Sequence, residues 1–372
     1  MIQISWPSTD HEEREALGKV FEAGWLGLGS ITQEFEEALK TYLGAKHAVA
    51  VNTGTSALHL AFSSLGLGPG DEVIVPSITF AGCIQAILWT GATPVFAESL
   101  EDSLLLDLAD VKRRITSKTK AIAPVHYGGN PADLQGLEAL AKAHGLVVVE
   151  DAAHALGSDY QGRKIGGKGR AVCFSFDPIK NITTGEGGAV VTDDDELAED
   201  LRRRRILGID KETWRRYKNT RGHFYEVTSD GYRYHMPNFS AAVGLVQLRK
   251  LPGFVARRQG ICRRYDAAFK GLPGLVLLPV DYSKAAPHIY VVKVDAARRE
   301  AFMEHLKAKG VATGVHYIAN HTQPYFKRHC PAPLPLAERL TQEITTLPLH
   351  CAMSDADVDT VIAAVRSYFG AF

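Results

Sequence analysis

Three short stretches carry residues whose types and spacing could do chemistry. In NTGTSALHL (52–60), Gly54 permits a tight turn, and Thr55 and Ser56 bring hydroxyls to the start of a helix whose first N–H groups lack intrahelical acceptors. That is an anion site suited to a phosphate, although Ser and Thr are also the ordinary N-caps of any helix. The stretch matches neither GxGxxG nor GxxxxGK followed by Ser or Thr, so it indicates neither a dinucleotide nor a nucleoside triphosphate. In VVVEDAAHALGS (147–158), an apolar strand ends in Glu150-Asp151. A carboxylate there is expensive unless a cation or several donors meet it, and a simple N-cap role for Asp151 is the plainer alternative. His154 lies three residues on. In FSFDPIKNITTGEGG (174–188), Lys180 follows a buried strand that also contains Ser175. Taken alone it reads as a surface charge, but a lysine near a buried site can lose its proton and attack a carbonyl. Phe80 in SITFAG follows the strand-like DEVIVPS and suits either a stacking ring or a core position.

The elements that must position these residues follow a repeating order. HAVAVN, DEVIVPS, TPVFAES, KAIAPVHY and LVVVED read as strands, separated by helical stretches such as SALHLAFSSLGL and LQGLEALAKAHG. Repeated βα units with nearly continuous apolar strands predict an α/β fold, a mainly parallel sheet sandwiched by helices. Ligands in such sheets bind beyond the carboxyl ends of the strands, where all three stretches fall. The helix FSAAVGLVQLRKL is expected to stop at Leu251-Pro252-Gly253, which divides the chain into a large domain over 1–251 and a smaller α+β domain over 252–372. The polar, aromatic segment 209–235 suits a long functional loop or a subunit contact.

Bulk properties exclude several classes. The 372 residues carry 42 basic and 42 acidic side chains, a balance that offers nothing to a nucleic acid. Arg202–Arg205 reads as a solvated helix end. The five cysteines are scattered without CxxC spacing, so neither a disulfide framework nor a metal site is expected. The N-terminus lacks an apolar signal-peptide core, and no run approaches the ~18 apolar residues of a membrane helix. A cytoplasmic protein with no membrane partner is the expectation.

A phosphate cup, a strand-end acid and a loop lysine, in that order, are what pyridoxal 5′-phosphate (PLP) requires: an anchor for its phosphate, a partner for its ring nitrogen and an amine for a Schiff base. On GWLGLGSITQEFEEAL, NTGTSALHLAF, PSITF, VHYGGNPADL, VEDAAHALGS, FSFDPIKNITTGEGGAVVTDD, GYRYHMPNFSAAVGLVQLRKL, GVHYIANHTQPYF and LPLH, the chain resembles the fold-type I PLP-dependent sugar-nucleotide aminotransferases of the DegT/DnrJ/StrS group, nearly end to end. The resemblance implies that Lys180 forms the Schiff base and shuttles the proton, and that Asp151 keeps the ring nitrogen protonated. It places His154 near the ring, Phe80 stacked on it, and Thr55, Ser56 and Ser175 at the phosphate. It implies a homodimer with shared active sites, to which Asn219 and Arg233 of the 209–235 segment are the cross-subunit candidates. It implies L-glutamate as amino donor and a nucleotide-linked keto-sugar as acceptor, bound by His316, Tyr317, Asn320 and His321, in amino-sugar biosynthesis for a lipopolysaccharide or O-antigen. The GEGG after the lysine resembles members acting at C4 of a 6-deoxy keto-sugar. Asp177 departs from the group, many members of which have histidine there. Other PLP chemistry remains open, namely aminocyclitol or aminobenzoate formation or sugar dehydration, although the dehydratases resembling this group replace the lysine by histidine. A non-catalytic regulator keeping the fold would be expected to lose the lysine or the aspartate, and both are present.

Overall fold

The computed structural model describes residues 1–209, 225–330 and 332–370. Twelve strands are present among them: β1 (His47–Val51), β2 (Glu72–Pro76), β3 (Thr93–Ala97), β4 (Thr119–Ile122), β5 (Val147–Asp151), β6 (Asp159–Tyr160), β7 (Arg163–Lys164), β8 (Ala171–Ser175), β9 (Gly188–Thr192), β10 (Leu275–Leu277), β11 (Tyr290–Val294) and β12 (Ile344–Leu347). Seven of them form the central sheet in the order β1-β9-β8-β5-β4-β2-β3. From β3 across to β8 the neighbours are parallel, and β9 runs antiparallel to both β8 and β1. Because β1 is antiparallel to β9, it points the same way as β8. The loops after β1, β2, β5 and β8 therefore leave the sheet along one edge, which gathers residues distant in sequence.

The sheet has two apolar faces. Along β1, Val49 and Val51 point into one cluster with Cys173 and Val190, and Ala48 and Ala50 point into another with Val172, Phe174 and Val191. This two-residue alternation, with every position apolar, marks a sheet covered by helices on both sides. The helices Gly54–Ser64 and Ala81–Trp89 cover the first face, and Ser30–Leu43 and the start of Asn238–Phe269 cover the second. A smaller unit folds around the antiparallel β10-β11-β12 sheet, with Phe302, Val361 and Val365 of two helices packed on Val292.

Three sequence-based expectations are corrected. The helix expected to stop at Leu251 runs unbroken from Asn238 to Phe269, with Pro252 inside it. Pro252 and Gly253 face solvent, so the helix carries the proline on its outer side and keeps its packed side unbroken. Its first half packs Ala241, Leu248 and Leu251 into the large core and its second half packs Ile261, Tyr265 and Phe269 into the small one. The N-terminal residues, expected with the large domain, join the small unit: Ile2 bridges Val311, and Leu349 N–H donates to Ile4 O at 2.9 Å. Finally, Arg205 is buried and not solvated; its Nη1 pairs with the buried Glu36 and donates to Ala50 O at 2.8 Å. Among the described residues no helix is long and apolar enough to cross a membrane.

Candidate active site

The loops at this edge enclose a cavity of about 510 Å³. Of the residues expected from the sequence, Thr55, Phe80, Asp151, His154, Ser175, Lys180, His316 and Tyr317 line it. Asp177 lines it too.

Its floor at the phosphate side comes from β1. Thr53 caps the helix Gly54–Ser64: its hydroxyl oxygen accepts from Ser56 N–H at 2.9 Å and lies 2.8 Å from Ser56 Oγ. Gly54 and Thr55 contribute the free first-turn N–H groups. Gly54 is required by closeness, since a Cβ there would sit 2.7 Å from Ser175 Cβ. Bare backbone therefore packs against β8, and the cradle stays open beside the Thr55 and Ser175 hydroxyls.

Asp151 ends β5 and is buried. Among the described residues a single hydrogen bond reaches its carboxylate, from Ala153 N–H to Oδ1 at 3.1 Å. Burial pushes its carboxyl above the usual range, against the opposing pull of that N–H, Lys180 and His126. A buried carboxylate so poorly served calls for a proton-bearing partner in the cavity.

Lys180 is half-buried on the loop after β8. Its N–H donates to Asp177 O at 3.1 Å, and Asp177 Oδ1 accepts from Ile179 N–H at 3.0 Å, a local turn that fixes the loop. Burial lowers the Lys180 amine, while Asp177 and then Asp151 hold it up. Asp177, unexplained by sequence alone, thus shapes the turn and supplies a negative charge beside the amine. Nζ lies 3.4 Å from Nε2 of His288.

His154 is buried, and desolvation together with Lys180 and His316 keeps it well below its ordinary range and therefore neutral. Gly128 N–H donates to its Nδ1 at 3.3 Å, which places the proton on Nε2, 3.0 Å from Tyr317 Oη. The His154 and Tyr317 rings stack with centroids 5.9 Å apart. Burial, with Asp151 and Asp177, raises the Tyr317 phenol. His316 Nδ1 lies 2.9 Å from Thr346 Oγ1, and Tyr127 Oη donates to the His316 carbonyl. Phe80 is 59% exposed, an uncovered ring at the cavity wall 6.0 Å from Tyr317.

Other expected residues lie elsewhere. Ser56 is buried behind Thr53 and does not line the cavity. Asn320 and His321 do not line the cavity, and the Asn320 amide nitrogen and both His321 ring nitrogens are engaged elsewhere. Asn320 Nδ2 donates to Ser77 O at 3.1 Å and Thr79 O at 2.6 Å, and His321 bridges Ser77 Oγ at 2.6 Å and Glu338 at 3.2 Å. Both clamp the 311–330 segment to the end of β2. Arg233 is exposed beside β1, its carbonyl 3.5 Å from Asn52 Nδ2, and does not line the cavity. Asn219 lies outside the described residues. Two contributors were not expected: Thr53, adjacent to the NTGTS residues already singled out, and His288, for which APHIYVV holds no local signal.

The residues present fit pyridoxal phosphate. The glycine-opened cradle suits its phosphate, the under-bonded buried Asp151 its ring nitrogen, Lys180 its aldehyde and Phe80 a ring face.

A family model described as the DegT/DnrJ/EryC1/StrS aminotransferase family matches residues 7–366. The spore coat polysaccharide biosynthesis protein SpsC of Bacillus subtilis (strain 168) is 42% identical over 374 residues, with 98% of this chain and 96% of that protein covered. The crystal structure of the aminotransferase TlmJ from Streptoalloteichus hindustanus superposes with a TM-score of 0.93 at 37% identity, covering 100% of this chain and 99% of that one. Spr1654 from Streptococcus pneumoniae, solved in PMP-form, gives 0.94 at 30% identity over 100% and 99% of the two chains, and its PLP-form gives 0.92.

Proposed function

Since the chain belongs to the DegT/DnrJ/EryC1/StrS aminotransferase family, whose members are PLP-dependent sugar aminotransferases, we propose that it moves an amino group from L-glutamate to a nucleotide-linked 4-keto-6-deoxyhexose. The observation that carries this reading is the meeting of Lys180, the under-bonded Asp151 and the Gly54–Thr55 cradle in one cavity. When bound, pyridoxal phosphate supplies an electron sink that lets nitrogen be exchanged between an amino acid and a keto-sugar. Asp151 holds the proton at the ring nitrogen. Lys180 would hold the cofactor through Nζ and would move the proton at the reacting carbon, for which a burial-lowered amine is suited. Thr55 and Ser175 bind the phosphate, Phe80 and the neutral His154 confine the ring, and His316 and Tyr317 face the sugar. The enzyme acts as a homodimer, with Arg233 the described candidate for reaching the neighbouring subunit's cofactor. The kinship with a polysaccharide biosynthesis protein supports an amino-sugar product destined for a surface polysaccharide.

The test is direct. Purified protein loaded with PLP is treated with glutamate, and loss of its visible absorbance reports the first half-reaction. UDP-, dTDP- and GDP-linked keto-sugars are then screened for aminated product by mass spectrometry. Turnover by Lys180→Ala at the wild-type rate, or amination of none of the keto-sugars, would refute the proposal.

A further inference from the structure

His288 lies on the segment before β11, more than a hundred residues from Lys180, yet its Nε2 is 3.4 Å from Lys180 Nζ. The imidazole is 3% exposed, and Nδ1 has no hydrogen-bond partner among the described residues. An orphaned ring nitrogen disfavours a packing role, because an apolar side chain of similar size would leave no buried polar atom unpaired.

The position is built rigidly. His288 N–H donates to Gly128 O at 3.0 Å, and the buried Arg258 donates to His288 O at 3.1 Å and Leu349 O at 3.0 Å. Asn181, the residue after Lys180, donates to Ala286 O at 3.1 Å, so the lysine loop and the His288 segment are tied directly together. Gly129 permits the approach, since a Cβ there would collide with the Ala286 carbonyl. On its other side the ring packs on His154, with centroids 4.4 Å apart.

We infer that His288 is a positioning residue for Lys180: its Nε2 accepts a hydrogen bond from the lysine amine whenever that amine is not bonded to the cofactor. In each half-reaction the reactive lysine must be released and must later return, and a long, flexible side chain needs a docking point in between. Both the ammonium and the neutral amine carry N–H groups, so one fixed acceptor serves both. Burial and the neighbouring Lys180 keep His288 neutral, which leaves Nε2 free to accept. This rests on Lys180 being the reactive lysine, but the test below reads the amine itself and not turnover.

Other ionisable groups face this pair: Asp177 on the lysine's own loop, Asp151 at the end of β5, His154 and His316 bear on Lys180, Glu186 lines the same cavity, and Arg258 lies behind His288. Variants at position 288 leave all of these in place. Glutamine puts an amide oxygen or nitrogen where Nε2 stands, and asparagine reaches only to Nδ1. Full-length protein freed of cofactor is pulsed with acetic anhydride from pH 6 to 10, and Lys180 acetylation is read by peptide mass spectrometry. Wild type and His288→Gln should share one midpoint. His288→Asn should titrate about one pH unit lower, because the ammonium is the stronger donor and loses more than the neutral amine when the acceptor goes, and should react about tenfold faster below both midpoints. An unmoved midpoint in His288→Asn, or equal shifts in both variants, would overturn the inference while leaving the proposed reaction standing.

Discussion

Gly54→Ala isolates the cradle from every other part of the site. The new methyl would stand 2.7 Å from Ser175 Cβ, 2.9 Å from its Oγ and 3.2 Å from its Cα. Ordinary carbon contacts lie at about 3.5–4.0 Å, so something must move by about 1 Å. Ser175 is held by β9 at its side in the central sheet, so the turn at the helix start yields instead. A displacement of that size stretches the 2.9 Å bond between Thr53 Oγ1 and Ser56 N–H beyond hydrogen-bond range. It also withdraws the cradle from a phosphate. Overpacking of this kind costs about 1–3 kcal/mol of stability. One lost charge-assisted bond is worth about 1.5–3 kcal/mol, or about a 10- to 150-fold weaker Kd for PLP. The measurement is an absorbance titration of cofactor-free protein with PLP, alongside thermal unfolding. Gly260→Ala is the control, since a Cβ there meets nothing within 4 Å, and it should be neutral or stabilising by up to about 1 kcal/mol. If Gly54→Ala matches wild type in both Kd and Tm, the reasoning about backbone approach is wrong.

Asp151→Asn should keep the shape of the site while slowing the glutamate half-reaction by about 100-fold or more in single-turnover absorbance; a wild-type rate would remove the carboxylate from the mechanism. Arg205→Ala strands Glu36 in the core and should cost about 3–5 kcal/mol in urea unfolding, whereas the double change Glu36→Leu, Arg205→Leu should recover most of it; a loss below about 1 kcal/mol for the single variant would contradict a buried pair. Asn320→Ala removes the side-chain donor of Thr79 O and leaves Ser77 O to backbone N–H donors, and should lower stability by about 1–3 kcal/mol while the glutamate half-reaction stays within about threefold of wild type; a large rate loss with unchanged stability would restore a substrate role. His154 and His288 both sit well below the ordinary histidine range, so the unfolded chain binds protons more readily than the folded one. Their contribution is complete above about pH 6.5 and is lost as the pH falls, by at most about 1.4 kcal/mol per pH unit for each. Urea unfolding at pH 7 and pH 5 should show the loss, His154→Gln should flatten it, and a stability that rises toward pH 5 would reverse the sign.

The parts of this molecule governed by local pattern were legible in the sequence. Alternating apolar strands and helices specify the sheet, and Gly54, Asp151 and Lys180 could be placed at one edge because each lies at, or a few residues past, the carboxyl end of a strand. What could not be read was which polar atoms are already engaged. Asn320 and His321 look like ligand contacts in GVHYIANHTQPY, yet the carbonyls and hydroxyl they bind belong to residues some 240 positions earlier. Arg205 looks solvated in RRRR because its partner, Glu36, lies 169 residues away. His288 carries no local mark, since its significance is a distance to Lys180 across 108 residues. Pro252 misled for a different reason: proline usually stops a helix, but here the helix turns its proline toward water.

That helix also decides how pieces of related chains can be exchanged. A hybrid joined at 251/252 would cut a 32-residue rod in the middle and pair Ala241, Leu248 and Leu251 of one parent with Ile261, Tyr265 and Phe269 of another. A seam after Phe269 would carry the rod whole, and residues 1–4 would have to travel with the C-terminal unit because Ile2 and Ile4 pair with Val311 and Leu349. Recombined sugar specificities would therefore require two crossovers, one at each end of the chain.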